Sequence, residues 1–149
     1  MKRLLLTLAI IGVIAITQAR LSAAPGETPA FHEGPPAKSE ALPAVWSQKQ
    51  LADAGYTAPA QKEGYKAAAK AGNVMYQMPC YCFCDRNHGH TSLRSCFESN
   101  HGANCGTCLA EALYSYKMSK KGWTAKMIRD GILRREYEQM DLQHPEPVL

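Results

Sequence analysis

The chain opens on a block of apolar residues that nothing later repeats. Leu4 to Thr17 is a 14-residue apolar run, preceded by Met1-Lys2-Arg3 and followed by small residues at Thr17-Gln18-Ala19 and Ser22-Ala23-Ala24. A positive start, an apolar middle and a small-residue cleavage site make the order of a secretory signal peptide. Residues 1–24 are therefore read as a signal peptide cleaved after Ala24, with Ala19 the next choice. The run is shorter than the ~20 residues of a membrane-spanning helix, and no cysteine follows it closely to carry a lipid. An exported protein without a stable membrane anchor, periplasmic or extracellular, is the expectation. In such a compartment thiols persist only when bound to metal, buried or actively reduced.

Next comes a stretch without periodicity. Residues 25–45 hold five of the nine prolines, and such a composition buries too little apolar surface to offset its ordering entropy. It reads as a flexible tether. Helical spacing then begins. Val45, Trp46 and Leu51 suggest a short helix, and Pro59 starts an Ala- and Lys-rich one running to Ala71, weakened by Gly64 and ended by Gly72-Asn73. Val74, Met75, Tyr76 and Met78 form an apolar approach to a cysteine-rich segment.

Two stronger helices follow that segment. Leu109, Ala112, Leu113 and Tyr116 set an apolar stripe from about Cys105 to Met118, with Asn104 as N-cap and Gly122 beyond the end. Thr124 caps a second helix expected to reach Met140, with Met127, Ile128, Gly131 and Ile132 on one face. The short connector makes the two an antiparallel hairpin, and residues 141–149 read as a frayed tail. The predicted fold is mainly α: three or four helices within residues 46–140, with an irregular Cys-rich segment packed on a C-terminal helical hairpin.

Composition changes this picture in one place only. The formal charge of +4 falls to +1 once the three basic residues of positions 1–24 are set aside, leaving 14 basic and 13 acidic. That balance gives no reason to expect nucleic acid. The run Lys117, Lys120, Lys121, Lys126 and Arg129 reads as a solvated face. No catalytic triad, carboxylate pair or phosphate loop occurs, and no turnover is assumed. All six cysteines, however, lie within residues 80–108.

They read Cys80-Tyr81-Cys82-Phe83-Cys84, Cys96 and Cys105-Gly106-Thr107-Cys108, with His88, His90 and His101 between them. In extended backbone Cys80, Cys82 and Cys84 share one face. Three ionised thiols so close repel one another, and i, i+2 cysteines make strained disulfides. A soft cation resolves both problems. Thiolates select Cu(I), zinc or iron–sulfur clusters. Copper is favoured outside the cytoplasm, with Met75, Met78 or a histidine as an extra ligand. The candidate site is Cys80, Cys82, Cys84, Cys96, Cys105 and Cys108 with His90 and His101. An exported delivery or redox protein is the candidate partner besides the metal ion.

Two other readings use the same residues. Cys105 and Cys108 form a CxxC at a helix start, where the dipole lowers a thiol's pKa as in disulfide oxidoreductases. That reading lacks a βαβ pattern and a downstream proline where a thioredoxin fold needs one. Alternatively, three disulfides staple a small exported domain, and six cysteines allow 15 pairings. His32 and His144 lie outside the cluster and read as bystanders, while Tyr114, Tyr116 and Trp123 read as packing residues.

The chain resembles the PCYCGC-motif, or CYCxC, family of small exported bacterial proteins, whose members include lipoproteins and selenoproteins. The likeness rests on Pro79–Cys84, His88-Gly89-His90, Cys96-Phe97, His101-Gly102, Cys105–Cys108, Glu111-Ala112, Met118 and Ile128-Arg129. It covers roughly residues 60–138. Two departures stand out: Phe83 occupies the position where glycine is usual, and the lipoprotein cysteine is missing. The resemblance implies a shared cysteine site. It brings no defined biochemical role.

Overall fold

The computed structural model describes residues 28–149, so residues 1–24, read above as a signal peptide, lie outside the described residues. Among them are six α-helices and no strand: α1 (Gln48–Asp53), α2 (Pro59–Lys70), α3 (Gly72–Met75), α4 (Cys84–His88), α5 (Gly106–Lys120) and α6 (Ala125–Leu133). Single 3-10 turns at Leu93–Phe97, His101–Asn104 and Glu136–Gln139 complete the chain. The mainly helical expectation, with an irregular cysteine-rich segment, holds.

Local chemistry explains the helix starts. Ser47 and Gln50 form a reciprocal capping box on α1, Gln50 N donating to Ser47 Oγ at 3.2 Å and Ser47 N to Gln50 Oε1 at 2.9 Å. Pro59 opens α2 with a fixed φ and no N–H to satisfy. Thr124 Oγ1 accepts from Met127 N at 3.3 Å at the start of α6. Asn104, expected to cap α5, does not. Its amide donates to Tyr56 Oη and to the Asn100 carbonyl, and Cys105 takes the cap position.

The hub is α5. The expected stripe of Leu109, Ala112 and Leu113 is buried, but so are Cys108, Ala110, Glu111, Tyr114 and Ser115. The first half of this helix is covered all round, because α2, α3, α6 and the three single turns pack against it. Its largest partner is α2 rather than its hairpin neighbour α6. Gly64 lets them approach: a Cβ there would stand 2.7 Å from Leu109 Cδ2. The glycine that weakens α2 in isolation thus admits a leucine in the fold. Leu51, Tyr65, Met75, Met78, Leu93, Phe97, Ile128 and Ile132 fill the core, each fully buried. Each such side chain contributes about 1.5–3 kcal/mol of hydrophobic stabilisation.

Four expectations need correction. The second hairpin helix ends at Leu133, not Met140. Arg135 takes a left-handed conformation, and Tyr114 Oη donating to Glu136 Oε2 at 2.5 Å fixes the following turn instead. Met127 is exposed, so only Ile128, Gly131 and Ile132 of its group face inward. Arg129 is no solvated cation: it donates to the Gln77 carbonyl at 3.0 Å, pairs with Glu33 and lies over the Phe31 ring. Residues 141–149 are docked rather than frayed, since Val148 is buried, its N–H donates to Glu63 Oε2 at 2.7 Å, and Tyr116 Oη donates to the Leu149 carbonyl.

Residues 28–45 of the segment read as a tether lack regular structure, as their prolines require, yet they lie along the body. Ala30 N donates to Asp85, His32 stacks on Tyr76 at 3.7 Å, Arg94 donates to the Pro43 carbonyl, and Trp46 N donates to the Phe97 carbonyl. Polar anchors on the helical body hold what apolar burial could not. His32 is therefore a contact residue and no bystander.

Candidate metal centre

The motif reaches its shape through a turn, not the extended backbone expected for it. Extended residues i and i+2 stand about 7 Å apart. Here the sulfurs of Cys80 and Cys82 are 3.0 Å apart, and those of Cys82 and Cys84 2.7 Å. Phe83 makes this possible. It adopts φ 56° and ψ 37°, in the left-handed region, and its N–H closes a turn onto the Cys80 carbonyl at 3.0 Å. That reversal starts α4 at Cys84 and brings all three thiols to one side. Arg86, 4.0 Å above the Phe83 ring, and Tyr81, edge-on at 6.0 Å, hold the side chain that occupies this conformation.

Helix α5 supplies the facing wall. Cys108, on its first turn, places Sγ 3.4 Å from Cys80 and 3.3 Å from Cys82. The Leu93–Phe97 turn adds Cys96, and the five sulfurs of Cys80, Cys82, Cys84, Cys96 and Cys108 all lie within 4.8 Å of one another. All six cysteines are free thiols. Cys105, at the cap of α5, lies outside that group of five but interacts with Cys82 and Cys108.

Histidines line the other side. Cys84 Sγ is 2.9 Å from His101 Nε2, and His90 Nδ1 is 3.2 Å from Cys96 Sγ. Cys84, His90 and His101 form a second set of donors within 4.8 Å. His88 joins them at the rim, its ring centroid 4.4 Å from that of His101. Burial is graded across the site. Cys96 and Cys108 are wholly buried, Cys80 and Cys84 nearly so, Cys82, Cys105, His90 and His101 are half-buried, and His88 is exposed. Met75 and Met78, considered as extra ligands, are fully buried core residues.

Two close approaches hold the histidine side. Tyr65 Oη donates to the Ser99 carbonyl at 2.6 Å and accepts from Ala103 N at 3.2 Å, pinning the turn that carries His101. A Cβ on Gly102 would stand 2.9 Å from the Cys96 carbonyl oxygen, so this turn and the Cys96 turn touch backbone to backbone.

The electrostatics converge on one sulfur. Hydrogen bonds from Cys105, Cys108, Cys80 and Cys96 hold the Cys82 thiol below its usual range, favouring its ionised form. Cys84 is pushed up, by burial first and then by Cys82. Cys108, donating into this network, is also pushed up. Cys105 is raised as well: the hydrogen bond from Cys108 lowers it, but Cys82 and burial outweigh that. This corrects the expectation that the helix start makes Cys105 the activated thiol. Burial lowers His90, and the neighbouring His101 and His88 add to the effect, so its ring favours the neutral form that ligates metals.

One participant was given no role in the sequence reading, where it counted only among the residues carrying the family likeness. Glu111 is fully buried, and its Oε1 accepts from Tyr81 N at 3.0 Å, clasping the Cys80–Cys82 turn. Burial pushes its carboxyl up to about 8 against the pull of Tyr81 N and Cys80. The signal was available: a carboxylate one turn after Cys108, between Leu109 and Leu113, stands out in a buried helix.

The family described as a protein of unknown function with a PCYCGC motif matches residues 47–146, and the chain belongs to it. The motif's glycine is replaced here by Phe83, the residue that takes the left-handed conformation. No curated protein and no solved structure matches the chain.

Proposed function

We propose that this protein binds a thiophilic metal ion, Cu(I) in first place, in an exported compartment. The observation that carries the reading is the convergence of five thiols within 4.8 Å of one another. An all-sulfur set suits Cu(I), with zinc and iron–sulfur clusters as the other soft choices. The N-terminal pattern of residues 1–24 supports export. An exported protein that delivers or receives the ion is the partner this reading implies.

The alternatives fit the geometry less well. Cys82 has three sulfurs within 3.3 Å, Cys80, Cys84 and Cys108, which no single pairing into disulfides serves. Exchange through the CxxC needs an accessible, acidic Cys105, but that thiol is raised and its partner Cys108 is wholly buried. The test is Cu(I) titration against a competing chelator under anaerobic, reducing conditions, with a free-thiol count on the same sample. Cys82→Ser should lose at least tenfold in affinity and Cys105→Ser much less. Unchanged copper binding in Cys82→Ser, with disulfide-reductase turnover abolished only in Cys105→Ser, would overturn the reading in favour of an oxidoreductase.

A further inference from the structure

The seven donors fall into two sets that share a single atom. Cys80, Cys82, Cys84, Cys96 and Cys108 form one; Cys84, His90 and His101 form the other. A tetrahedral ion takes four ligands at about 2.0–2.3 Å, so one ion leaves several of these side chains without a role. Ionised, five thiolates around one Cu(I) would also leave excess negative charge in a buried place, which is costly without a further cation. The sets differ in hardness and in access. The all-sulfur set reaches down to the wholly buried Cys96 and Cys108, while the mixed set lies at the half-buried mouth beside exposed His88.

We propose that the protein holds two metal ions bridged by the Cys84 thiolate: an inner ion among the thiols and an outer ion on Cys84, His90 and His101. This rests on the reading of the cluster as a metal site and goes beyond it in number, ligand set and metal class. The inner set favours Cu(I). The outer set, one sulfur and two imidazoles, favours a borderline divalent ion such as Zn(II) or Cu(II). Cys84 suits the bridge: it is 2.7 Å from Cys82 on the inner side and 2.9 Å from His101 Nε2 on the outer. His88 is the next donor in reach of the outer ion. The outer position is the exchangeable one, since its two histidines are only half-buried and stand beside exposed His88.

Anaerobic titration of the reduced full-length mature chain with Co(II) tests this, because cobalt reports each ligand set by its sulfur-to-metal charge-transfer and d–d bands. The wild type should bind two equivalents. The double variant His90→Ala with His101→Ala should bind one and keep strong charge transfer. Cys108→Ser should weaken the inner equivalent at least tenfold and leave the outer. A bridging thiolate couples the two spins, so the fully loaded wild type should give less paramagnetic resonance signal per cobalt than the half-loaded protein. If far-UV circular dichroism shows the alanine variant unfolded, His90→Asn with His101→Asn serves in its place. One equivalent in both wild type and double variant overturns the two-ion centre and leaves the thiol site standing. Two equivalents in both place the second ion on thiols alone and also overturn it. No cobalt binding at all overturns the two-ion centre, while the Cu(I) titration decides the proposed function separately.

Discussion

Phe83 offers the sharpest check on the geometry of the motif. A Cβ in the left-handed region costs about 1–2 kcal/mol against the following carbonyl, and Phe83 bears that cost at φ 56°. Glycine removes it, at about 0.5–1 kcal/mol of additional backbone entropy lost on folding. Replacing Phe83 by Gly alone mixes this gain with loss of the ring, which contacts Tyr81 and Arg86. The informative quantity is the difference between Phe83→Gly and Phe83→Ala, since both lose the ring equally. Phe83→Gly should be the more stable by about 0.5–1 kcal/mol, the left-handed relief less the entropy cost. At an ordinary negative φ the order reverses by a similar amount, alanine winning by about 0.5–1 kcal/mol. The sign therefore decides. Equilibrium urea denaturation of the reduced, metal-free variants measures it. Alanine as stable as glycine, or more so, would refute the left-handed turn and with it the account of how Cys82 and Cys84 meet.

Three further outcomes follow from the packing around the site. Gly102→Ala should cost about 1–3 kcal/mol, as overpacking does, because the Cys96 carbonyl 2.9 Å away is backbone and yields little; thermal melting measures it. Tyr65→Phe should cost about 1–2 kcal/mol, since the Ser99 carbonyl loses its donor, and denaturant titration would show no change if that hydrogen bond contributes nothing. The docked tail should respond to acid. Burial raises the Glu63 carboxyl, but hydrogen bonds from Lys66 and Val148 N outweigh it and hold it below its ordinary value. A depressed carboxylate contributes stability above its unfolded pKa of about 4.3, and that contribution disappears as pH falls through the lower folded value. The Val148 amide resonance should therefore titrate with a midpoint below that of a free glutamate and stay flat in Glu63→Gln; a midpoint at or above the free value contradicts the contact.

Much of this protein was readable along the chain. Pro59 and Thr124 announce helix starts because capping is a matter of a few adjacent residues, and the structure starts helices where they stand. The apolar stripe of α5 and the density of cysteine between residues 80 and 108 were equally visible, since periodicity and residue type are properties of sequence. That such a cluster could hold a soft metal ion follows from its thiols alone. What the chain could not disclose depends on meetings between distant segments. Whether Cys108 faces Cys80 and Cys82, 28 and 26 residues away, is decided by how α2, α3 and the Leu93–Phe97 turn seat against α5. Local rules even misled at some points. Isolated residues i and i+2 suggested an extended thiol ladder, but a left-handed phenylalanine closed it into a turn. A helix start suggested an acidic Cys105, but four converging neighbours moved the thiolate to Cys82. Proline content and a terminal position suggested a free tether and tail, but backbone N–H groups donating to Asp85 and Glu63, and Arg94 donating to the Pro43 carbonyl, laid both against the body. The physical reason is common to all of them. Caps and stripes are set by neighbours in sequence, whereas burial, charge and ligand geometry are set by neighbours in space, and those exist only once the helices have packed.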